Sequence, residues 1–467
     1  MGLSTRFRSR VVLAEAVALA LGLVFRLYLV TAFPYEAGDT PLYEGLARNL
    51  LAHGSYALEL QGRLVPVNVR MPGYPTFLAA VHALLGPGFE PVRLVQAVID
   101  TLTALLAGAL AASLAAPASR LRVFLAGVWL AALCPFTANY AAAILAETPT
   151  VFLNTAAFVL LLLGVRRAAG PSGADARALV LLAAAGVVAG LGCYLRPETP
   201  LVLIAAAPVL AVRWRRWADW PRLVRTGLAL GAGLAVVLGP WLARNAILLG
   251  RLELLPPPAA NMPEETAPNG FNAWTNTWLT SMQDVYEFSW KVEDEPIDFS
   301  KLPASALDSL EERQTVTRLF EEYNDTLTLT PEWDDAFARL ARERTRRHPL
   351  RTWLRVPLGR VLTIWLTPRI ELLPFSGHLL PVGVAWEDDP VDFTVTASLI
   401  AINLLFLVLA GLGVIRCPWV LGTTVLLTWL FLRTALITTL PAPEPRYVVV
   451  CFPVLAALAA QLWARTR

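Results

Sequence analysis

Apolar stretches long enough to cross a bilayer recur along most of the chain, and that recurrence leaves few folds open. A transmembrane helix takes about 20 mostly apolar residues. Such stretches fall at 11–32, 91–116, 122–138, 147–165, 178–195, 199–213, 224–248, 393–415, 418–440 and 446–463. The sixth is short and Pro135 interrupts the third. Only 16% of the 467 residues are charged and 56% are hydrophobic, against about 25% charged in a soluble domain. The expected fold is therefore an all-α polytopic membrane protein of about ten transmembrane helices.

Arginine sets the expected orientation. Lys291 and Lys301 are the only lysines among 39 basic residues. RFRSR at 6–10, Arg120 with Arg122, Arg166 with Arg167, and RWRRWADWPRLVR at 213–225 fall on one side when ten spans are threaded, joined by Arg416 and the ARTR tail. By the positive-inside rule that side is cytoplasmic. The first apolar run lacks a small-residue cleavage site and reads as a retained signal anchor, so both termini are expected inside. The location expected is a bacterial plasma membrane. A net charge of +3 without a basic strip argues against nucleic acid as a partner. Cys134, Cys193, Cys417 and Cys451 are too scattered for a disulfide framework. The histidines, His53, His82, His348 and His378, show no ligand spacing, so no cofactor is expected with certainty, a structural metal site is not supported, and a divalent metal stays open without a ligand motif for it.

Three regions follow. Residues 1–250 form an expected transmembrane core with an outward loop at 33–90. Residues 251–392 form an extracytoplasmic cap rich in Asp and Glu up to about 335, opened by the turn-forming run LPPPAANMPEETAPNG. Residues 393–467 supply the last helices. Helices are expected near 304–325 and 331–348. LRTWLRVPLGRVLTIWLTP at 350–368 carries Arg351, Arg355 and Arg360. Each would cost about 2.5–3.5 kcal/mol near the middle of a span, so an amphipathic helix at the outer interface is the preferred reading.

The chemistry-bearing residues cluster at the expected outer boundary. EAGDTPLYEGLARNLLAHGSY (36–56) brings Glu36, Asp39 and Glu44 directly after the first apolar run. Asp39-Thr40-Pro41 has the look of a helix start and Gly54 of its end. Asp39 either caps that helix or does chemistry, and local pattern leaves both open. In VRMPGYPTFLAAVHALLG (69–86), Arg70 heads a helix too short to span. It suits either a phosphate or a lipid headgroup. Glu147, Arg196 with Glu198, Arg244 with Asn245, and Arg446 fall at the outer ends of other helices. Charges kept at a membrane core tend to be paired and functional.

In this order the motifs resemble bacterial GT-C fold glycosyltransferases of the protein O-mannosyltransferase and aminoarabinose-transferase type. They are D-x-x-x-Y-x-x-x-A (Asp39, Tyr43, Ala47), R-x-P-x-Y-P (Arg70–Pro75), the acid Glu147, the RPE segment 196–198, PWxxRN (240–245) and the late pair Arg446-Tyr447. The resemblance implies a polyprenyl-phosphate-linked sugar donor, an unspecified lipid, glycan or protein acceptor, and inverting transfer on the extracytoplasmic face. Carried over, Asp39 is the catalytic base. Arg70, Arg196, Arg244 and Arg446 face the lipid phosphate, Tyr74 and the 350–368 helix line a lipid groove, and Glu36, Glu147 and Glu198 support them.

The chain departs from the family pattern twice. The second acid of the first loop stands at Glu36 rather than beside Asp39, and Val69 occupies the position of a metal-associated acid in some relatives. Metal dependence is thus unsupported. Acceptor choice falls to residues within 251–392. A polyprenyl-lipid transporter or flippase without catalysis, or a non-catalytic assembly subunit, would also carry outward arginines. A flippase is expected to place ionisable residues midway along its helices, whereas these gather at helix ends.

Overall fold

The structure, a computed structural model, describes residues 5–171, 173–257, 266–292 and 295–464, with the side chains of 5–10 excepted. The side chains of RFRSR, half of the turn-forming run at 255–270, and all but the first residue of the ARTR tail lie outside what the structure describes. The chain is an all-α, multi-pass membrane protein, 74% helical. In order, its helices are α1 (Thr5–Ala32), α2 (Thr40–His53), α3 (Gly73–Leu85), α4 (Phe89–Leu114), α5 (Arg120–Ala132), α6 (Pro135–Tyr140), α7 (Glu147–Ala168), α8 (Ala176–Leu195), α9 (Leu201–Arg213) and α10 (Trp220–Leu249). There follow α11 (Asn269–Thr275), α12 (Met282–Asp284), α13 (Leu310–Thr326), α14 (Pro331–Arg347), α15 (Val356–Leu366), α16 (Val382–Asp388), α17 (Pro390–Arg416), α18 (Val420–Thr438) and α19 (Phe452–Ala459). One antiparallel hairpin, β1 (Ala57–Leu60) with β2 (Arg63–Pro66), pairs Ala57 with Pro66.

Among the described residues, eight helical segments are long and apolar enough to cross a membrane: Val11–Ala32, Phe89–Leu114, Glu147–Ala168, Ala176–Leu195, Trp217–Leu249, Pro390–Arg416, Val420–Thr438 and Pro445–Trp463. Two expected spans take another form. The stretch 122–138 breaks into α5 and α6, because Pro135 offers no N–H and holds Cys134 in extended backbone (ψ 113°). The stretch 199–213 is the 13-residue α9, with Pro208 inside it.

Two compact units result. The first comprises Met1–Pro256, Pro368–Phe431 and Val449–Arg467; the second comprises Pro257–Thr367 and Leu432–Val448. Lipid supplies no hydrophobic drive between spans, so close backbone approach matters. A Cβ on Gly186 of α8 would stand 2.2 Å from the Leu230 carbonyl of α10, and one on Gly233 of α10 would stand 2.1 Å from the Ala183 carbonyl. Arg26 and Asp100 add a polar tie inside α1 and α4. Arg26 Nε donates to Asp100 Oδ2 at 2.8 Å, and Nη1 donates to the carbonyls of Gly22 and Ala132. Ionisable residues therefore do not gather only at helix ends, as the sequence reading held. This pair is shut away, each side chain 1% exposed, which suits a strut between helices better than a transport path.

The second unit has a core of its own. Phe271, Trp274, Phe320, Trp333 and Phe337 pack together, with ring centroids 4.6 Å apart for Trp333 and Phe337. Asp334 accepts hydrogen bonds from the Gly270 and Phe271 amides and so satisfies the start of α11. The 350–368 helix belongs to this unit, and its arginines are not headgroup anchors throughout. Arg360 is 1% exposed and donates to the carbonyls of Leu279, Thr438 and Leu440 and to Asn276 Oδ1. Arg351 grips Asp308 in a two-pronged pair at 2.6 and 2.9 Å.

Candidate active site

Asp39 does not cap α2 through its side chain. The residue stands at the N-cap position of α2, yet its side chain accepts nothing from that helix. Arg70 Nη2 donates to Asp39 Oδ1 at 2.7 Å instead, with the two side chains 28% and 25% exposed. The helix start is held in other ways. Pro41 lies in the first turn, and Thr40 Oγ1 donates to the Ile144 carbonyl at 3.3 Å. Gly54 ends α2 in the left-handed region at φ 62°.

Arg70 is fixed from behind. Tyr56 Oη donates to the Arg70 carbonyl at 2.9 Å. Arg244 then pins the loop from α10, its guanidinium donating to the carbonyls of Val67 at 2.9 Å and Tyr56 at 2.6 Å. Trp241 lies under Arg244, 4.9 Å from ring centroid to guanidinium carbon. Arg244 thus holds the strand of chain that carries Arg70. Asn245 continues the same task, donating to the Glu253 carbonyl at 2.7 Å.

A second charged group stands where α7 begins and α8 ends. Arg196 Nη1 donates to Glu147 Oε1 and Arg196 Nε to Glu198 Oε1, both at 2.7 Å. Glu147 is buried, and Glu198 and Arg196 are 18% and 19% exposed. The two groups share Tyr43. Burial pushes its phenol up to about 12, the Asp39 and Glu147 carboxylates push the same way, and Arg70 and Arg196 oppose them. Tyr43 therefore stays protonated at neutral pH, within the field of both pairs.

Tyr74 supports the floor rather than an open wall. It is 1% exposed, donates from Oη to Gln96 Oε1 at 2.9 Å, and meets Tyr43 edge to face at 5.0 Å. Glu36 stands at the rim, 56% exposed, 3.3 Å from Arg93. Arg446 lies in the second unit, where it pairs with Glu444 at 2.6 Å. The structure thus brings Asp39, Arg70, Glu147, Arg196 and Glu198 around Tyr43, with Arg244 and Tyr74 behind them.

An apolar cavity of about 710 Å³ is lined by Gly73, Phe77, Phe152, Leu191, Leu195 and Trp241 among others. Gly73 stands three residues past Arg70, and Leu195 directly precedes Arg196. Close packing of α3 on α8 shapes it: a Cβ on Gly73 would lie 2.5 Å from the Tyr194 carbonyl.

Sequence reasoning passed over several residues. Tyr140 Oη donates to Glu371 Oε1 at 2.8 Å. Arg369, 2% exposed and at φ 59°, stands over Phe136 and Phe452 at 5.7 and 5.0 Å. A positive φ on an arginine is uncommon and leaves no trace in the local pattern. Arg26 and Asp100 did carry a signal, as lone charges inside apolar runs. Among the described residues no group of three His, Cys, Asp or Glu side chains is placed to hold a metal ion.

No family model matches the chain, and no curated protein matches it. Solved structures of similar architecture do exist. ArnT from Cupriavidus metallidurans bound to undecaprenyl phosphate is 15% identical, with 97% of this chain and 77% of that chain covered and a TM-score of 0.42. The Archaeoglobus fulgidus oligosaccharyltransferase in complex with Zn and sulfate is 12% identical over 95% of this chain and 48% of that one, with a TM-score of 0.49. The archaeal oligosaccharyltransferase AglB, in complex with an inhibitory peptide and a dolichol-phosphate, is 11% identical over 96% and 50%, with a TM-score of 0.49. This chain spans about half the length of the archaeal ones.

Proposed function

We propose that the protein is a membrane glycosyltransferase that moves a sugar from a polyprenyl-phosphate-linked donor to an acceptor, with inversion, on the extracytoplasmic face of a bacterial plasma membrane. One observation carries the reading: a partly exposed Asp39–Arg70 pair and the Glu147–Arg196–Glu198 group act on Tyr43, and an apolar cavity of about 710 Å³ is lined by residues that neighbour Arg70 and Arg196 in the chain. A lipid-linked sugar phosphate has those same two halves. Its isoprenoid chain suits the apolar walls, and its phosphate suits guanidinium groups in a low-dielectric site.

In this reaction Asp39 accepts the proton of the acceptor O–H as that oxygen attacks the anomeric carbon. The bond from that carbon to the donor phosphate oxygen breaks, and its electron pair stays on the phosphate. Arg70 neutralises the charge that develops there, and Arg196 adds to the field while its two carboxylates hold it in place. An aspartate of ordinary pKa is already ionised at neutral pH, so position matters more than a raised pKa. Whether the sugar is a hexose or a pentose is for the donor panel to decide.

The test is transfer from a panel of labelled polyprenyl-phosphate sugars by purified protein in lipid nanodiscs. Asp39→Asn is expected to lower transfer by about 10²–10⁴-fold while donor binding persists. Well-folded protein that transfers from no donor yet moves lipid across the bilayer would replace this proposal with the transporter reading.

A further inference from the structure

The second unit holds a cavity of about 810 Å³ that the transfer site does not use. One wall is a face of α14, with Asp335, Ala338, Arg342, Thr345 and Arg346 at helical spacing; the other carries Trp353 and Pro357. Arg360 and Thr438 also line it. We propose that this cavity binds an anionic sugar, a sugar phosphate or uronic acid unit of the acceptor. The proposal rests on the transferase reading above for the word acceptor, but the binding itself does not.

Three observations point to that chemistry. Arg342 and Arg346 are exposed one turn apart, and among the described residues neither makes an ion pair or a side-chain hydrogen bond. Like charges at this spacing repel. The helix dipole favours a cation in the last turn but gives no reason for a second one aimed at the same hollow. Two other basic residues of α14 are paired, Arg344 enclosed with Glu312 and Arg347 3.0 Å from Glu343, and the exposed Arg339 does not line the cavity. Trp353 leaves 74% of its surface open on the opposite wall, a flat apolar plate of the kind that covers the C–H face of a sugar ring. Asp335 and Asn269, also exposed and without side-chain partners, supply an acceptor and an amide for hydroxyl groups. The volume lies within the range of small-molecule sites, about 300–1,000 Å³.

The test uses the full chain in nanodiscs of zwitterionic lipid, with isothermal titration of a hexose 6-phosphate, a hexuronate, the neutral hexose and inorganic phosphate. Saturable binding of an anionic sugar, at least tenfold tighter than either the neutral hexose or phosphate, is expected. Arg342→Gln with Arg346→Gln should weaken it at least tenfold and Trp353→Ala by a similar factor, with Arg339→Gln within twofold of the parent. Equal binding by the double variant overturns the proposal. So does inorganic phosphate binding as tightly as the sugar phosphate, or displacement of the sugar by nanodiscs containing phosphatidylglycerol, which would mark a general lipid-headgroup site. Asp39→Asn keeps the outcomes apart: loss of transfer with this binding intact bears on the transfer site alone, and loss of binding with transfer intact bears on this cavity alone.

Discussion

Carboxylates and guanidinium groups meet in both units, but under different conditions. In the first, Asp39 and Arg70 are each about a quarter exposed and Arg196 about a fifth. In the second, Arg344 is fully enclosed, paired to Glu312 at 2.5 Å and to Asp308 at 3.4 Å, and it also donates to Thr277 Oγ1 and the Ser305 carbonyl. A half-open pair is worth about 0.2–1 kcal/mol and exchanges partners at little cost when a charged ligand arrives. An enclosed pair, once formed, is expensive to break because the survivor is left as a buried charge. The same residue types form a half-open candidate site at Asp39 and a fastening at Arg344, as they do at Arg26 and Asp100, and solvent access makes the difference.

Substitutions can break that contrast. The largest expected effect is Asp39→Asn, which should cost transfer about 10²–10⁴-fold and leave the urea midpoint of the protein nearly unchanged. A comparable loss of stability would make Asp39 a fastening after all. Next comes Arg344→Met. It should destabilise the second unit by about 3–5 kcal/mol, read as early loss of tryptophan fluorescence in urea, with much of the loss recovered by adding Glu312→Leu. Arg70→Gln is expected to reduce transfer by about 10²–10³-fold, with little change in stability; an effect on stability alone would sink its role at the phosphate.

The smallest effect is one of pH. The Arg351 guanidinium holds Asp308 below the usual carboxylate range, with Arg344 adding to it. Its folded-state pKa is lowered, so its contribution is complete above the unfolded value of about 3.9 and is lost as pH falls through the folded value. Acid titration of the second unit, followed by tryptophan fluorescence, should therefore steepen below about pH 4, and Asp308→Asn should flatten that limb.

Much of the fold and of the site was legible before any coordinates. Apolar run length located the spans, because a bilayer imposes a minimum length whatever the neighbours do. The break at Pro135 was marked by the residue itself. The candidate residues Asp39, Arg70, Glu147, Arg196 and Glu198 could be named from their places at run ends. Their partners could not. That Asp39 faces Arg70 rather than its own helix, that Arg244 is spent on the carbonyls of Tyr56 and Val67, and that Arg360 is enclosed rather than at a lipid surface all depend on contacts between residues 31 to 188 positions apart.

The sequence by itself determined which segments are helical and which run lengths suit a membrane, since hydropathy and backbone chemistry act locally. Only the tertiary structure decided which charges are open and which are shut. Exposure is a property of what packs around a side chain, and that neighbourhood is assembled from distant parts of the chain.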